Sequence, residues 1–189
     1  MKKFVIVIAL VTILGTGTAF ADHPDNFGIG FKGGFDLPFM GYDGYAGGGA
    51  LLLKFPSVPI FWGVDVHSRR HSLGFGLSGD YYIINDNIVD EWFGWYLGLG
   101  GFLKFSTWDN RHHSRTNLGL VFRVPIGLSF QWPIDSFTLE LFLAAVPNVG
   151  LRFSFWDSKH NDYWKNENYG RVGVWGPGLG GEIGIRFWF

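Results

Sequence analysis

Apolar and polar residues alternate along most of this chain, and this period of two constrains its fold more than any other feature of the sequence. In the last eight residues every second position is isoleucine or phenylalanine, while glutamate, glycine, arginine and tryptophan occupy the positions between them. Because successive side chains of a β-strand point to opposite faces of a sheet, this pattern predicts a strand with one apolar and one polar face. The same alternation recurs from residue 27 onward without a competing helical period. The chain is therefore predicted to be all-β.

Turn-forming residues divide the alternating pattern into eight predicted strands. The connections at residues 56–59, 85–91 and 133–136 are short, whereas those at residues 108–116 and 157–170 are longer and polar. Short turns at one end and longer loops at the other are typical of outer-membrane barrels. The sequence thus predicts an eight-stranded antiparallel transmembrane up-and-down β-barrel. The predicted strands are Asn26–Asp36, Gly47–Phe55, Ile60–His67, Ser72–Ile84, Trp92–Thr107, Asn117–Trp132, Phe137–Trp156 and Arg171–Phe189.

In the last predicted strand the apolar residues change parity. Val172 and Val174 share one parity, and Ile183 and Ile185 share the other. One extra residue in a strand shifts the parity of everything after it. The shift therefore predicts a single β-bulge in this strand.

The apolar parity is predicted to face lipid and the polar parity the barrel interior. Alternation alone also fits a soluble barrel with an apolar interior. However, the interior of eight strands only just holds side chains, and here the apolar set is bulky while glycine dominates the other set. Val124 is accordingly assigned to lipid and Ser129 to the interior. Tryptophans near predicted strand ends fit the aromatic girdles of membrane barrels. They are Trp62, Trp92, Trp95, Trp108, Trp132, Trp156 and Trp188.

The polar parity supplies six cations and five anions to the predicted interior. Because an unpaired buried charge is costly, these side chains are expected to form a connected network that seals the lumen. Arg123 and Glu140 are expected to be its central pair, adjacent across one hairpin. The complete set is Lys32, Asp36, Lys54, Asp65, Asp80, Lys104, Arg123, Glu140, Arg152, Glu182 and Arg186.

The first twenty-one residues have the pattern of a secretory signal peptide. Lys2 and Lys3 precede an apolar core at residues 4–14, and Ala19 and Ala21 form a small-x-small cleavage site. An uncleaved anchor is the weaker interpretation, because a spanning helix needs about 20 apolar residues. The sequence thus predicts a signal peptide at residues 1–21 and one barrel domain at residues 22–189.

Charge and cysteine content exclude several classes of protein. The formal net charge is −1, which is not basic enough for a nucleic-acid binder that neutralises phosphates. There is no cysteine, so disulfides, thiolate metal sites and cysteine catalysis are excluded. The chain is 19% aromatic and only 16% charged, which is unusual for a water-soluble domain.

The C-terminal pattern resembles a known sorting signal. Ile183, Ile185, Phe187 and Phe189 alternate up to a terminal aromatic residue, as in the C-terminal signal of bacterial outer-membrane barrels. Together with the leader and the strand count, the chain resembles the small barrel families typified by OmpX, the OmpA membrane domain and OmpW. The segments at residues 123–128 and 139–142, with Pro147, are similar to OmpX-like barrel families of unknown function. The resemblance implies an outer-membrane location, with outer-membrane lipids and the outer-membrane assembly machinery as partners.

Histidines and arginines gather in or beside the predicted external loops. The histidines could bind zinc or copper, although solvated loop residues are the simpler interpretation. The arginines could contact lipopolysaccharide phosphates or an acidic extracellular ligand. A lipid-facing Ser–His hydrolase would need the pairs His67–Ser68 or His71–Ser72, for which no carboxylate is placed as an orienting group. The histidines are His67, His71, His112, His113 and His160, and the arginines are Arg69, Arg70, Arg111 and Arg115.

The sequence therefore predicts a non-enzymatic outer-membrane barrel without cofactors. Its expected role is envelope structure or surface recognition, including adhesion, through external loops. The main alternative is transport of a small apolar molecule through a narrow lumen or a lateral opening, as in OmpW-like barrels. A third interpretation is a secreted soluble barrel that binds a lipid inside.

Overall fold

The computed structural model describes residues 26–38, 46–69, 72–89, 92–110, 113–158 and 170–189. These residues form nine strand segments, and none of them belongs to a helix long and apolar enough to cross a membrane. The predicted signal peptide lies outside them. The segments are β1 (Gly28–Pro38), β2 (Ala46–Lys54), β3 (Ile60–Arg69), β4 (Ser72–Val89), β5 (Phe93–Asn110), β6 (His113–Arg123), β7 (Ile126–Ile134), β8 (Phe137–Ser158) and β9 (Gly170–Trp188).

Antiparallel pairing closes the segments into a barrel. Each of β1 to β5 pairs with the next strand, β8 pairs with β9, and β9 pairs back with β1. Both β6 and β7 lie between β5 and β8 and pair with each of them. β6 and β7 are therefore two halves of one barrel strand, and the barrel has eight strands. The predicted fold class is confirmed.

The interruption between β6 and β7 lies at Val124 and Pro125. Proline has no N–H to donate to a strand ladder. Backbone contacts continue around it, because Gly98 N donates to Pro125 O at 2.8 Å and Val124 N donates to Pro147 O at 2.9 Å. The sequence predicted one continuous strand over residues 117–132, so this break is a correction.

Two predicted connections are shorter than expected. β5 continues to Asn110 and β6 begins at His113, with Trp108 opposite Arg115, whereas a loop was predicted over residues 108–116. Likewise, β4 continues to Val89 although residues 85–91 were predicted as a turn. Polar side chains indicate that a segment is exposed to water, but they do not prevent its backbone from pairing with a neighbouring strand. Both segments were predicted as connections because of their polar residues, and both continue the strands instead.

The bulge predicted in the last strand is present in β9. Asn148 is opposite Gly178 and Gly150 is opposite Trp175, so two residues of β9 oppose Val149 alone. Val172 and Val174 before the bulge are 63% and 70% exposed, and Ile183 after it is 64% exposed. The bulge therefore keeps the apolar residues on the outer face on both of its sides.

The outer face is apolar and the inner face carries the buried polar groups. Large side chains such as Phe31, Phe75, Leu120 and Leu143 are more than half exposed on the outside. A soluble barrel with an apolar interior would show the reverse. Ser129 points inward and is fully buried, whereas Val124 lies half-buried in the strand break. The buried charged side chains are Lys32, Lys54, Asp80, Lys104, Arg123, Glu140 and Arg186.

Only some of the tryptophans lie where the girdle was predicted. Trp92 and Trp132 are exposed on the outer face and flank Phe130, with ring centroids 6.4 and 6.3 Å from it. Trp62 and Trp95 are half-buried. Trp188 is buried in the lumen, which corrects the prediction, because a residue between two lipid-facing phenylalanines must point inward. The side chains of Trp108 and Trp156 lie outside the described part of the structure.

Candidate functional site

The lumen is the candidate site, and the two ends of the barrel that bound it differ. The connections at residues 55–59, 90–92 and 135–136 lie at one end, called here the turn end. Phe189 also lies there, where its backbone N donates to Phe27 O at 2.9 Å. The opposite end, called the loop end, carries the connections at residues 39–45, 70–71, 111–112 and 159–169.

Near the turn end, Glu140 and Arg186 form a buried ion pair. Arg186 Nη1 lies 2.8 Å from Glu140 Oε1, and Trp188 Nε1 donates to Glu140 Oε2 at 2.8 Å. Arg186 Nη2 donates to the Tyr82 hydroxyl at 2.6 Å. The pair follows from strand register, because Glu140 in β8 is directly opposite Arg186 in β9. Glu140 is fully buried, so water does not replace either partner.

Aromatic rings surround the Arg186 guanidinium. Its central carbon lies 4.0 Å from the ring centroid of Phe142, 4.9 Å from Phe61, 5.6 Å from Tyr82 and 5.9 Å from Tyr96. The rings also stack on one another, with centroids 4.3 Å apart for Phe61 and Tyr82 and 4.5 Å apart for Tyr82 and Tyr96. Contacts of a cation with ring faces are attractive, and more so without water. We call the group formed by Phe61, Tyr82, Tyr96, Glu140, Phe142, Arg186 and Trp188 the turn-end plug.

Glycines on the inner face make room for the plug. A Cβ atom at Gly184 would collide with the ring of Phe142, and one at Gly127 would collide with the ring of Tyr96. The rings therefore take the volume that inward side chains at these positions would occupy. Since eight strands enclose a space only wide enough for side chains, this half of the lumen is filled.

A second set of charges lies further towards the loop end. Arg123 Nε is 3.0 Å from Asp80 Oδ1, and Arg123 Nη2 is 2.8 Å from Glu182 Oε2. Lys32 Nζ is 3.0 Å from Glu182 Oε1 and 3.8 Å from Asp65 Oδ1. Ser78 Oγ donates to the other Asp65 oxygen at 2.9 Å. We call Lys32, Asp65, Asp80, Arg123 and Glu182 the central ion cluster.

The expected pairing of Arg123 with Glu140 is wrong. Gln131, not Arg123, is opposite Glu140 in the β7–β8 hairpin, and Arg123 is opposite Asn148. The two side chains therefore point into the lumen at different levels. Arg123 belongs to the central ion cluster, and Glu140 belongs to the turn-end plug.

The remaining members of the expected network are spread along the lumen. Asp36 Oδ1 accepts a hydrogen bond from Asn148 Nδ2 at 3.0 Å. Lys54 Nζ donates to Phe55 O at 2.9 Å, at the turn end. Lys104 is buried, and Arg152 is half-buried in the part of β8 that leads to the loop end. The structure thus divides the expected network into separate levels.

Most of the predicted loop residues belong to parts of the chain that the structure does not describe. Arg70, His71, Arg111, His112 and His160 lie outside the described residues, as do the side chains of Arg69, His113 and Arg115. Within the described residues there is no group of three metal-ligating side chains.

His67 lies close to the loop end of its strand, beside the connection that follows, as predicted. It belongs to β3 and lines the lumen, where its ring centroid is 6.3 Å from that of Phe102. Ser68 points to the opposite face and is exposed. The imidazole and the hydroxyl of this pair are therefore not brought together.

The aromatic residues of the turn-end plug were not predicted to lie in the lumen. The signal for them was present in the alternation. Phe61 has the parity of Gly63 and Asp65, and Trp188 has the parity of Glu182 and Arg186. Trp188 was predicted to belong to an interfacial girdle and Phe61 was assigned to neither face, whereas parity places both in the lumen.

The residues of the proposed sorting signal form the outer face at the end of β9. Ile183 is exposed, while Ile185 and Phe187 are half-buried against neighbouring strands. The ring of Phe189 lies 6.2 Å from that of Phe137, between centroids. Their role in sorting stays a prediction.

Deletion of Phe189 is expected to reduce assembly strongly. The deletion removes its hydrogen bond to Phe27 and its ring contact, next to the β1–β9 pairing that closes the barrel. An open sheet edge is not tolerated in lipid. The yield of folded protein in outer-membrane fractions, measured by heat-modifiable gel migration, should fall to a small fraction of wild type. Unchanged yield would contradict the sorting-signal interpretation.

Comparisons with known proteins found similarity only among solved structures. No family model and no curated protein matches the chain. The N-terminal β-barrel domain of Pseudomonas aeruginosa OprF is 12% identical with a TM-score of 0.43, covering 86% of this chain and 97% of that one. Neisserial surface protein A (NspA) is 14% identical with a TM-score of 0.45, covering 87% and 97%. Ail, the attachment invasion locus protein of Yersinia pestis, is 11% identical with a TM-score of 0.20, covering 87% and 97%. At these identities and TM-scores we draw no function from the likenesses.

Proposed function

We propose that this protein is an integral barrel of a bacterial outer membrane with a sealed lumen, acting in envelope structure or in surface recognition through its loop end. The observation that carries the proposal is the turn-end plug, in which a fully buried Glu140 and the aromatic rings around Arg186 fill the barrel. A filled lumen is expected of a barrel that acts through its surface, whereas a barrel that transports solutes needs an open one.

The outer face supports membrane insertion. Residues at successive outward positions of β4 and β8, such as Phe75, Leu77, Leu141 and Leu143, are 40% to 58% exposed. An apolar surface that surrounds a barrel is stable in hydrocarbon and aggregates in water. The partners proposed on this basis are outer-membrane lipids and the machinery that inserts barrels into them.

The orientation of the barrel follows from its two ends. Short turns face the periplasm and longer connections face outward in barrels of this kind. Residues 159–169, which join β8 to β9 at the loop end, contain lysine, histidine, aspartate, glutamate, asparagine, tyrosine and tryptophan. Such side chains suit recognition of a polar extracellular partner, so we assign the surface role to the loop end.

Planar-bilayer recordings test the sealed lumen. Wild-type protein is expected to show no steady conductance, because the rings and the buried ion pair of the turn-end plug fill the lumen at that level. A variant with Tyr82→Ala, Tyr96→Ala and Phe142→Ala, which removes three plug rings, should conduct if it still folds by heat-modifiable migration. A general porin recorded in parallel shows that the assay detects open channels.

Liposome swelling provides the decisive contrary result. If vesicles containing wild-type protein swell in sugar solutions, the lumen is open and the transport interpretation replaces this proposal. If wild type and the triple variant are both silent while folded, the plug rings are not what closes the lumen, and the assignment of sealing to them is wrong.

A further inference from the structure

The β4–β5 hairpin extends past β3 at the turn end and leaves one strand edge open. β3 begins at Ile60, which is opposite Tyr81, whereas β4 continues to Val89. Pro59 precedes β3, and because proline has no N–H, it is a poor residue with which to extend the ladder. β5 pairs with β4 on the other side only. Among the described residues, the β3 side of residues 83–89 therefore has no neighbouring strand.

The backbone groups on this open edge follow from the strand ladder. Along a strand, the N–H and C=O groups of one residue point to one neighbouring strand, and those of the next residue point to the other. Gly98 N donates to the strand formed by β6 and β7, so the preceding residue, Leu97, points to β4, where it is opposite Ile84. Asn85 and Asn87 therefore direct their backbone groups to the open edge and not to β5.

An exposed carboxylate caps one of these edge groups. Asn87 N donates to Asp86 Oδ1 at 2.9 Å, so this N–H is satisfied within its own strand. Asp86 is exposed on the outer face, opposite Trp95. Because a carboxylate is costly in hydrocarbon, this part of the hairpin lies where water reaches it. A partner in the aqueous phase at the turn end can therefore approach the edge.

The sequence around the open edge is acidic. The β4–β5 hairpin contains Asp86, Asp90 and Glu91, and no lysine, arginine or histidine occurs at residues 72–103. The connection at residues 55–59, which precedes β3, has no charged residue. An incoming strand with basic residues would meet opposite charge. A second copy of this chain would instead bring the same carboxylates against one another, which is destabilising across a strand pair.

We propose that this edge binds an extended, basic segment of another protein, which adds to the barrel sheet as a strand beside β4. Open strand edges bind extended chains through main-chain hydrogen bonds. The backbone groups of Asn85 and Asn87 pair with the incoming strand, and the Asp86 carboxylate leaves Asn87 N and pairs with a lysine or arginine. The site goes beyond the surface role of the loop end. Its position on the periplasmic side rests on the orientation proposed above.

Three peptides of matched length test the proposal. Full-length mature protein, isotope-labelled and folded in detergent micelles, is titrated with a capped peptide of about nine residues in which valine alternates with lysine. The second peptide has glutamate in place of lysine. The third has proline in place of valine, which keeps the charge but prevents strand pairing. NMR follows the amide signals of Asn85, Asn87 and Ile88. We expect saturable shifts with the valine–lysine peptide only, and at saturation an Asn85 N–H that exchanges at least about tenfold more slowly.

Two variants of one residue locate binding at the strand edge. Asn87→Pro removes an N–H that points to the open edge and keeps the hydrogen bonds between β4 and β5, so it blocks strand addition without opening the hairpin. We expect it to weaken binding of the valine–lysine peptide by at least about tenfold. Asn87→Ala keeps the N–H and should bind like wild type.

Two variants with the same change of charge test the basic character of the partner. Asp86→Asn should weaken binding of the valine–lysine peptide about two- to fivefold, the range for one exposed ion pair. Asp135→Asn removes a carboxylate from another turn at the same end of the barrel and should leave binding unchanged.

The proposal is overturned by any of three results: no saturable response to the valine–lysine peptide, equal binding of the glutamate or proline peptide, or a folded Asn87→Pro or Asp86→Asn variant that binds like wild type. Should Asn87→Pro not fold, the three peptides on wild-type protein still decide, because only a basic strand at an open edge distinguishes them. Binding in micelles depends neither on the orientation of the barrel nor on its conductance, so this proposal and the proposed function fail separately.

Discussion

Replacing Glu140 with glutamine is expected to lower the free energy of unfolding by about 3–5 kcal/mol, the range for breaking a buried ion pair. Glu140 is fully buried and is the carboxylate within 2.8 Å of Arg186. The amide keeps the size of the side chain but leaves the guanidinium without a counter-charge. Tyr82 and the surrounding rings supply a hydroxyl and π-faces, which do not neutralise a buried cation. Urea titration of the barrel in lipid vesicles, followed by tryptophan fluorescence, measures the change.

A double variant and a surface variant complete the experiment. Glu140→Gln combined with Arg186→Met should be less destabilised than Glu140→Gln alone, because no charge is then left unpaired. Asp135→Asn removes a carboxylate from an exposed turn residue at φ 38°, a conformation that asparagine tolerates, and should be nearly neutral. If Glu140→Gln proves no more destabilising than Asp135→Asn, the ion pair does not hold the plug together.

The faces of the strands could be predicted from the sequence, because the pleat translates parity directly into inside and outside. Lys32, Glu140 and Arg186 were assigned to the interior on parity alone, and all three are buried there. The bulge in β9 was predicted for the same reason, since the change of parity from Val174 to Ile183 has no other simple cause.

The partners of the lumen charges could not be predicted, because parity gives the face of a residue but not its level in the barrel. Levels depend on the register of strands that are distant in sequence. Lys32 in β1 pairs with Glu182 in β9, 150 residues away. Arg123 in β6 reaches Asp80 in β4 and Glu182 in β9, each separated from it by one strand, rather than a residue along its own hairpin. The expectation for Arg123 and Glu140 failed on the register of a local hairpin, in which Gln131 is opposite Glu140 and Arg123 is opposite Asn148.

The break at Pro125 and the lumen aromatics were missed for different reasons. Alternation continues through residues 117–132, so a pattern of apolar residues cannot show that the regular strand ladder is interrupted at Val124 and Pro125. The aromatics were missed because their bulk was taken to exclude them from a narrow interior. In the structure, Gly127 and Gly184 on the neighbouring strands, directly opposite Tyr96 and Phe142, provide the space that these rings occupy.

Arginine at Leu143 is expected to cost about 2–4 kcal/mol of folding free energy in a bilayer, whereas arginine at Ile134 should cost about 0–1 kcal/mol. Both side chains are exposed on the outer face, at 58% and 41%. They differ in depth, because Ile134 borders the β7–β8 turn and Leu143 lies in the middle of the predicted apolar band, opposite Leu128 and Ile183. A guanidinium near an interface reaches water, while one at the midplane does not.

The measurement is a urea titration of Leu143→Arg, Ile134→Arg and wild type in vesicles, repeated in detergent micelles. In micelles the difference between the two variants should shrink, because a thin detergent shell lets both side chains reach water. If Leu143→Arg loses more folding free energy than Ile134→Arg in vesicles but not in micelles, the outer face of the barrel is in contact with the hydrocarbon of the bilayer. Equal costs at the two positions in vesicles would mean that the apolar face does not span a membrane, and the outer-membrane assignment would then have to be abandoned.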